Sequence, residues 1–178
     1  MAMVNPPLVF QIVGYQNSGK TTLVTKLIKQ LADRELSVVT LKHHGHGGRP
    51  DIAENKDTAQ HMRSGALASI VEGDGSLVLQ AEKAEWALSE QIALASRLGP
   101  KIVLIEGHKK ASFPKAVLLR SMDDAELLET LNHIVMVFYW EEAVRGLQAK
   151  YKKIPFFQVN DEEGFAYLIN YFNNIEMG

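Results

Sequence analysis

Residues 8–31 read LVFQIVGYQNSGKTTLVTKLIKQL, and this stretch decides the fold. Leu8–Val13 is an apolar run of strand length. From Thr21 to Arg34 the residues Leu23, Leu27, Ile28 and Leu31 recur on one helical face. Between them GYQNSGKT, Gly14 to Thr21, fits G-x-x-x-x-G-K-[ST] in the strand-to-helix setting that gives the pattern its meaning. Successive backbone N–H groups across Gly14, Tyr15, Gln16, Asn17, Ser18 and Gly19, continued by Lys20, Thr21 and Thr22, point inward. With the positive end of the helix dipole they form a concavity for a chain of phosphates. Gly14 and Gly19 allow angles and approaches that a Cβ would block. Lys20 is expected to reach the β- and γ-phosphates, and Thr21 to offer its hydroxyl to Mg²⁺.

The rest of the chain fits one compact domain over residues 1–178, large enough to bury about 70% of its unfolded surface. Hydrophobic residues make up 46% and charged residues 22%, an ordinary globular composition. The net charge of −2 gives no basic field for nucleic acid or an anionic membrane, so phosphate must be bound by a local site. Without cysteine there are no disulfides, thiolate metal sites or cysteine nucleophile. The opening MAMVNPPLVF does not read as a secretory signal, and no run approaches the ~20 apolar residues of a membrane span. A cytoplasmic location is expected.

Leu36–Lys42 reads as a second strand, completing a strand–helix–strand unit with parallel strands. Residues 43–56 form a loop, and a short helix spans Asp57–Ser64. Ala66–Gln80 reads as a hairpin turning at Gly73-Asp74-Gly75, followed by a helix over Glu85–Leu98. KIVLIEG (Lys101–Gly107) is the most continuous buried strand, and Lys115–Arg120, His133–Trp140 and Phe156–Asn160 are further strands. Helices at Ala125–Leu131, Glu141–Lys150 and Glu162–Asn174 fill the gaps. This alternation predicts a three-layer α/β sandwich of the P-loop NTPase type, mostly parallel with one antiparallel hairpin. Its ligand lies at the carboxyl ends of the strands.

Glu106 ends an apolar strand just before Gly107, which sets a carboxylate at that edge, where such an acid meets the Mg²⁺ of the nucleotide. Lys20, Glu106 and Asp57 are therefore the catalytic candidates, and Thr21, Asp57 and Glu106 the metal candidates. Asp57 and His61 share a helix face at i, i+4, and helix capping explains Asp57 nearly as well as a metal role. In Lys42-His43-His44-Gly45-His46 the three imidazoles suit a transition metal, but no further ligand sits nearby at ligand spacing. A polar active-site rim facing an anion, with Lys42, His43 and Lys109 as candidate contacts, fits better, and a plain loop is the third reading. Asn55-Lys56-Asp57 does not fit the guanine-reading N-K-x-D motif. Asn160 and Asp161 stand in a better place without identifying a base. Phe138-Tyr139-Trp140 reads as core packing.

Taken together, GYQNSGKTTL, LKHHGH, KDTAQHMRSGA and VLIEGHKK resemble the MobB family of molybdopterin-guanine dinucleotide biosynthesis adaptors, over residues ~8–120. Its motif places fall at Gly14–Thr22, Lys42–His44, Asp57, His61, Gly65 and Glu106–Lys109. The resemblance implies a cytoplasmic, homodimeric protein that binds GTP and Mg²⁺ and hydrolyses GTP weakly. It implies assistance to the guanylyltransferase that attaches GMP to molybdopterin, with both as partners. A nickel-insertion type metallochaperone GTPase, motivated by HHGH, and a P-loop small-molecule kinase are the alternatives. Neither a water-orienting glutamine nor an arginine finger is evident, Arg49 and Arg63 being the candidates, so the residues favour holding a nucleotide over hydrolysing it.

Overall fold

The computed structural model describes residues 6–43 and 56–176. By contacts the chain divides into two compact units, Met1–His43 with Ile92–Gly178, and His44–Gln91. The larger unit carries a six-stranded sheet of β1 (Leu8–Gly14), β2 (Val38–Lys42), β5 (Ile102–Glu106), β6 (Lys115–Leu119), β7 (Ile134–Tyr139) and β8 (Phe156–Gln158). The order is β2-β5-β1-β6-β7-β8 and every pairing is parallel. Parallel neighbours require crossovers; helix α1 (Lys20–Ala32) lies in the one between β1 and β2, while α5 (Glu162–Glu176) follows β8.

Strand alternation explains the layering. Phe10, Ile12, Ile102, Leu104, Ala116, Leu118, Met136 and Phe138, at even positions, form one cluster with Leu23, Leu27 and Leu31 of α1 and Phe165, Leu168 and Phe172 of α5. Val13, Val117, Leu119, Val137 and Tyr139, at odd positions, form a second cluster with Leu127, Leu128 and Val144. Because both faces are covered, the strands are mostly apolar, with Gln11 and Lys115 the buried polar exceptions. The second layer contains α4 (Leu127–Thr130) and 3₁₀ turns at Met122–Asp124 and Glu142–Ala149. The segment expected as a helix over Glu141–Lys150 is thus a 3₁₀ turn, since Val144 and Gly146 are weak helix formers.

The smaller unit contains α2 (Lys56–Arg63) and the antiparallel pair β3 (Ala68–Gly73) and β4 (Ser76–Ala81), with α3 (Leu88–Ser96) straddling its boundary. Gly73 pairs with Ser76 across Asp74 (φ 49°) and Gly75 (φ 76°), the two positive angles that a tight two-residue hairpin turn demands. The hairpin leaves Ile70, Leu77, Val78 and Leu79 largely exposed. No helix among the described residues is long and apolar enough to cross a membrane.

Candidate functional site

The carboxyl ends of β1 and β5 face the start of α1, and the sequence fixes that corner locally. A Cβ on Gly14 would lie 2.8 Å from the Leu118 carbonyl oxygen and 2.8 Å from Ser18 Oγ, so the loop closes only with glycine. Gly19 caps α1 with φ 92°, and neither it nor any acidic side chain of the first turn satisfies the helix's free N–H groups. Such a bare helix start is suited to an anion.

Lys20 Nζ donates to the carbonyl of Tyr15 at 2.6 Å, folding its ammonium back across the loop. Burial lowers its pKa first. Glu106 raises it, while Lys109, Lys42 and Arg120 lower it further. Four cations thus gather at one corner of a chain whose net charge is −2.

Thr21 Oγ1 donates to Glu106 Oε1 at 2.9 Å. Lys42 Nζ lies 3.4 Å from that hydroxyl and 3.6 Å from the carboxylate. These are two hard oxygens side by side, of the type Mg²⁺ takes, and they would hold it at this corner. The Lys42 ammonium supplies positive charge beside them. Among the described residues no cluster of three or more His, Asp or Glu could hold a metal alone. A nucleotide-borne Mg²⁺ needs only one or two protein oxygens, so the donor pair fits it.

His43 donates its backbone N–H to the Glu106 carbonyl at 3.2 Å, and its ring lies 4.6 Å from that of His108, centroid to centroid. Burial, and then His43, lower the pKa of His108, and its Nε2 is buried without a hydrogen bond. His44 and His46 lie outside the described residues. Asp57 and His61 are on α2 of the smaller unit, Asp57 within the first helical turn. The corner described above is built from the larger unit alone.

Several residues take places that strand and helix patterns did not single out. Trp140 is not core, unlike Phe138 and Tyr139: it is 40% exposed, and its indole Nε1 donates to the Ser18 carbonyl at 2.7 Å. A Cβ on Gly19 would lie 2.9 Å from its ring, so the indole packs directly on the phosphate loop. Buried Gln11 donates to the carbonyls of Gly107 and His108 (3.1 and 3.0 Å) and accepts from Phe113 N–H at 3.3 Å, pinning the loop after Glu106. Arg120 is bound through its Nε and Nη2 (2.9 and 2.6 Å) to buried Asp124, whose pKa that contact lowers. Tyr15 donates its hydroxyl to Glu126, which raises the phenol's pKa. Arg63 is on α2, and Arg49 lies outside the described residues. Asp161 accepts from Glu163 N–H at 2.9 Å and so caps α5.

Residues 9–140 match the family described as MobB, Molybdopterin guanine dinucleotide synthesis protein B. A Bacillus subtilis relative, a "Probable molybdopterin-guanine dinucleotide biosynthesis adapter protein", is 36% identical over 171 residues, covering 96% of each chain. The Haemophilus influenzae molybdopterin-guanine dinucleotide biosynthesis adapter protein is 32% identical over 127 residues, 71% of each chain. The crystal structure of Bacillus subtilis MobB superposes with a TM-score of 0.75 at 34% identity, covering 92% of this chain and 96% of that one. Its fold and this one are of the same α/β P-loop type.

Proposed function

The chain belongs to the MobB family, and on that premise we propose that it is a GTP-binding adaptor in the biosynthesis of molybdopterin guanine dinucleotide. In this reading it holds GTP·Mg²⁺, hydrolyses it slowly, and assists the guanylyltransferase that attaches GMP to molybdopterin in the cytoplasm. The observation that carries the proposal is the bare start of α1 facing the Thr21–Glu106 oxygen pair, 2.9 Å apart, with Lys20 folded over the loop.

Each group has a derivable part. The free N–H groups of α1 and the loop donate to the phosphate oxygens, and the Lys20 ammonium turns from the Tyr15 carbonyl to the β- and γ-phosphates. Thr21 and Glu106 hold Mg²⁺, which when bound neutralises charge that spreads over the γ-phosphate in the transition state. Lys42 adds a further cation beside them. Slowness follows from where the other groups are engaged. Arg120 is tied to Asp124, and Gln11 to the loop after Glu106, so neither is free to stabilise the leaving charge or orient water. An arginine supplied by a partner is worth ~10³–10⁵ in rate.

A homodimer completes the proposal. Ile70, Leu77, Val78 and Leu79 of the hairpin expose an apolar surface of the kind that proteins cover on association, and a second copy is the partner we assign to it. The test is a steady-state GTPase assay and a GTP titration, each with and without the guanylyltransferase. Slow turnover alone, changed in rate or affinity by the partner, is the expected result. Turnover by the isolated protein above about 1 per second, or no response to the partner, would overturn the adaptor role.

A further inference from the structure

A cavity of about 340 Å³ opens beside the phosphate loop, lined by Tyr15, Lys109, Lys110, Leu127, Thr130 and Leu131 among others. Its size is that of a small-ligand site. Its lining contains no acidic residue among the described residues, although the chain carries 21 acidic against 19 basic residues. Neither Lys109 nor Lys110 makes an ion pair among the described residues; Lys109 Nζ instead lies 3.9 Å from the centre of the Tyr15 ring. Leu127 and Leu131 give the lining an apolar part.

The walls are held in place by buried polar groups. Gln11, fully buried in β1, binds the carbonyls of Gly107 and His108, and Ala111 N–H returns to the His108 carbonyl at 2.8 Å. That turn presents the two lysines. Lys115, also fully buried, donates from Nζ to the carbonyls of Ala111 at 2.9 Å and Asn132 at 2.7 Å. It staples the lysine turn to the chain that follows α4. Burying an ammonium is costly, and here it ties the turn that carries the cationic part of the lining to the segment that carries the apolar part.

We propose that this cavity is a second-ligand subsite that takes a small phosphomonoester with a planar body, the phosphate on Lys109 and Lys110 and the ring against Leu127 and Leu131. Tyr15 is shared between the cavity and the phosphate loop, so the subsite adjoins the nucleotide. The proposal rests on the adaptor reading above, which supplies two ligands for one protein. Charge complementarity selects the monoester: an anion of about −2 meets two lysines that make no ion pair among the described residues, whereas the uncharged ring alone meets only apolar side chains.

The experiment uses the full chain loaded with GDP and Mg²⁺, so that the phosphate loop is filled. Neopterin monophosphate is titrated and followed by its own fluorescence anisotropy, with neopterin as the uncharged control. The monoester is expected to bind at least tenfold more tightly than neopterin. Lys110→Glu should weaken it at least tenfold while GTP affinity stays unchanged, and Thr130→Phe, which fills the cavity without altering charge, should do the same. The Lys20→Ala variant should still bind the monoester. Equal binding of neopterin, indifference to Thr130→Phe, or displacement of the monoester by GTP would overturn the proposal. Failure of GTP itself to bind the wild-type chain would overturn the nucleotide reading instead, and the monoester titration then judges the cavity alone.

Discussion

Two strands of this molecule are written in nearly the same letters and meet opposite fates. β5 contributes Val103, Leu104 and Ile105, each 0% exposed, while β4 contributes Leu77, Val78 and Leu79 at 57%, 56% and 48%. Branched and leucine side chains suit a pleated strand in both places. What differs is the company. β5 pairs with β1 and β2 inside a six-stranded sheet, whereas β4 has only β3. Two strands alone are marginal in water, so apolar residues there signal a surface awaiting a partner rather than a core. Sequence determines that a segment is a strand, and neighbours determine whether it is interior.

The first way to break that contrast is to delete the same atoms from both strands. Leu104→Ala should cost about 2–5 kcal/mol of unfolding free energy, because a close-packed interior leaves the cavity unfilled. Leu79→Ala, measured by urea unfolding at concentrations dilute enough for a monomer, should cost no more than about 0.5 kcal/mol. On the dimer proposed above its effect belongs to association, so light scattering should find a dimer for the wild type and a monomer for Leu77→Lys with Leu79→Lys. If Leu79→Ala destabilised the monomer as much as Leu104→Ala, the hairpin would be packed within its own chain and the contrast would fail.

A sharper form of the comparison sets stability against function within the larger unit. Lys20→Ala should weaken a fluorescent GTP analogue by at least about a hundredfold, ~2.7 kcal/mol, while the melting temperature moves by less than about 2 °C. The reason is that Lys20 makes one hydrogen bond in the free protein, to Tyr15, and lies outside both core clusters. Its pKa is lowered by burial, so the nucleotide-free ammonium discharges below the usual lysine range. GTP affinity should therefore fall as pH rises toward that range, and the variant should lose this dependence. Unchanged affinity would remove the phosphate-loop reading.

Most of the framework was legible because it rests on local signals. The phosphate loop between an apolar strand and a periodic helix, the Asp74-Gly75 turn, and a glutamate ending the strand Ile102–Glu106 each follow from a few neighbouring residues. The missed features are long-range polar ones. Gln11 reads as one polar residue in a strand, yet it holds a loop some 96 positions away. Arg120 ends a strand in the sequence, and its pairing with Asp124 is visible only in the structure. His43 meets His108 only because β2 and β5 are adjacent and in register, Lys42 beside Glu106. The stretch 141–150 reads as a helix because it fills the gap between two strands; Val144 is fully buried, but the backbone takes the tighter 3₁₀ turn.

Trp140 is where this blindness has a measurable consequence. As the end of Phe138-Tyr139-Trp140 it looks like core, but it is partly exposed and its N–H reaches the Ser18 carbonyl of the phosphate loop. Trp140→Phe keeps an aromatic ring against Gly19 and removes that donor. A neutral hydrogen bond contributes about 1 kcal/mol, so GTP affinity should fall roughly fivefold. Stability should barely change, because the residue is not enclosed. Trp140→Ala, which also removes the contact with Gly19, should lose more affinity than Trp140→Phe. The chain has two tryptophans, Trp86 and Trp140, so Trp86→Phe leaves a single fluorophore hydrogen-bonded to the phosphate loop. Its emission should shift when GTP·Mg²⁺ binds, as the loop carbonyls reorient around the phosphates. A silent Trp140, or a Trp140→Phe variant that loses stability while keeping full affinity, would return the residue to packing alone and leave the loop positioned by its glycines.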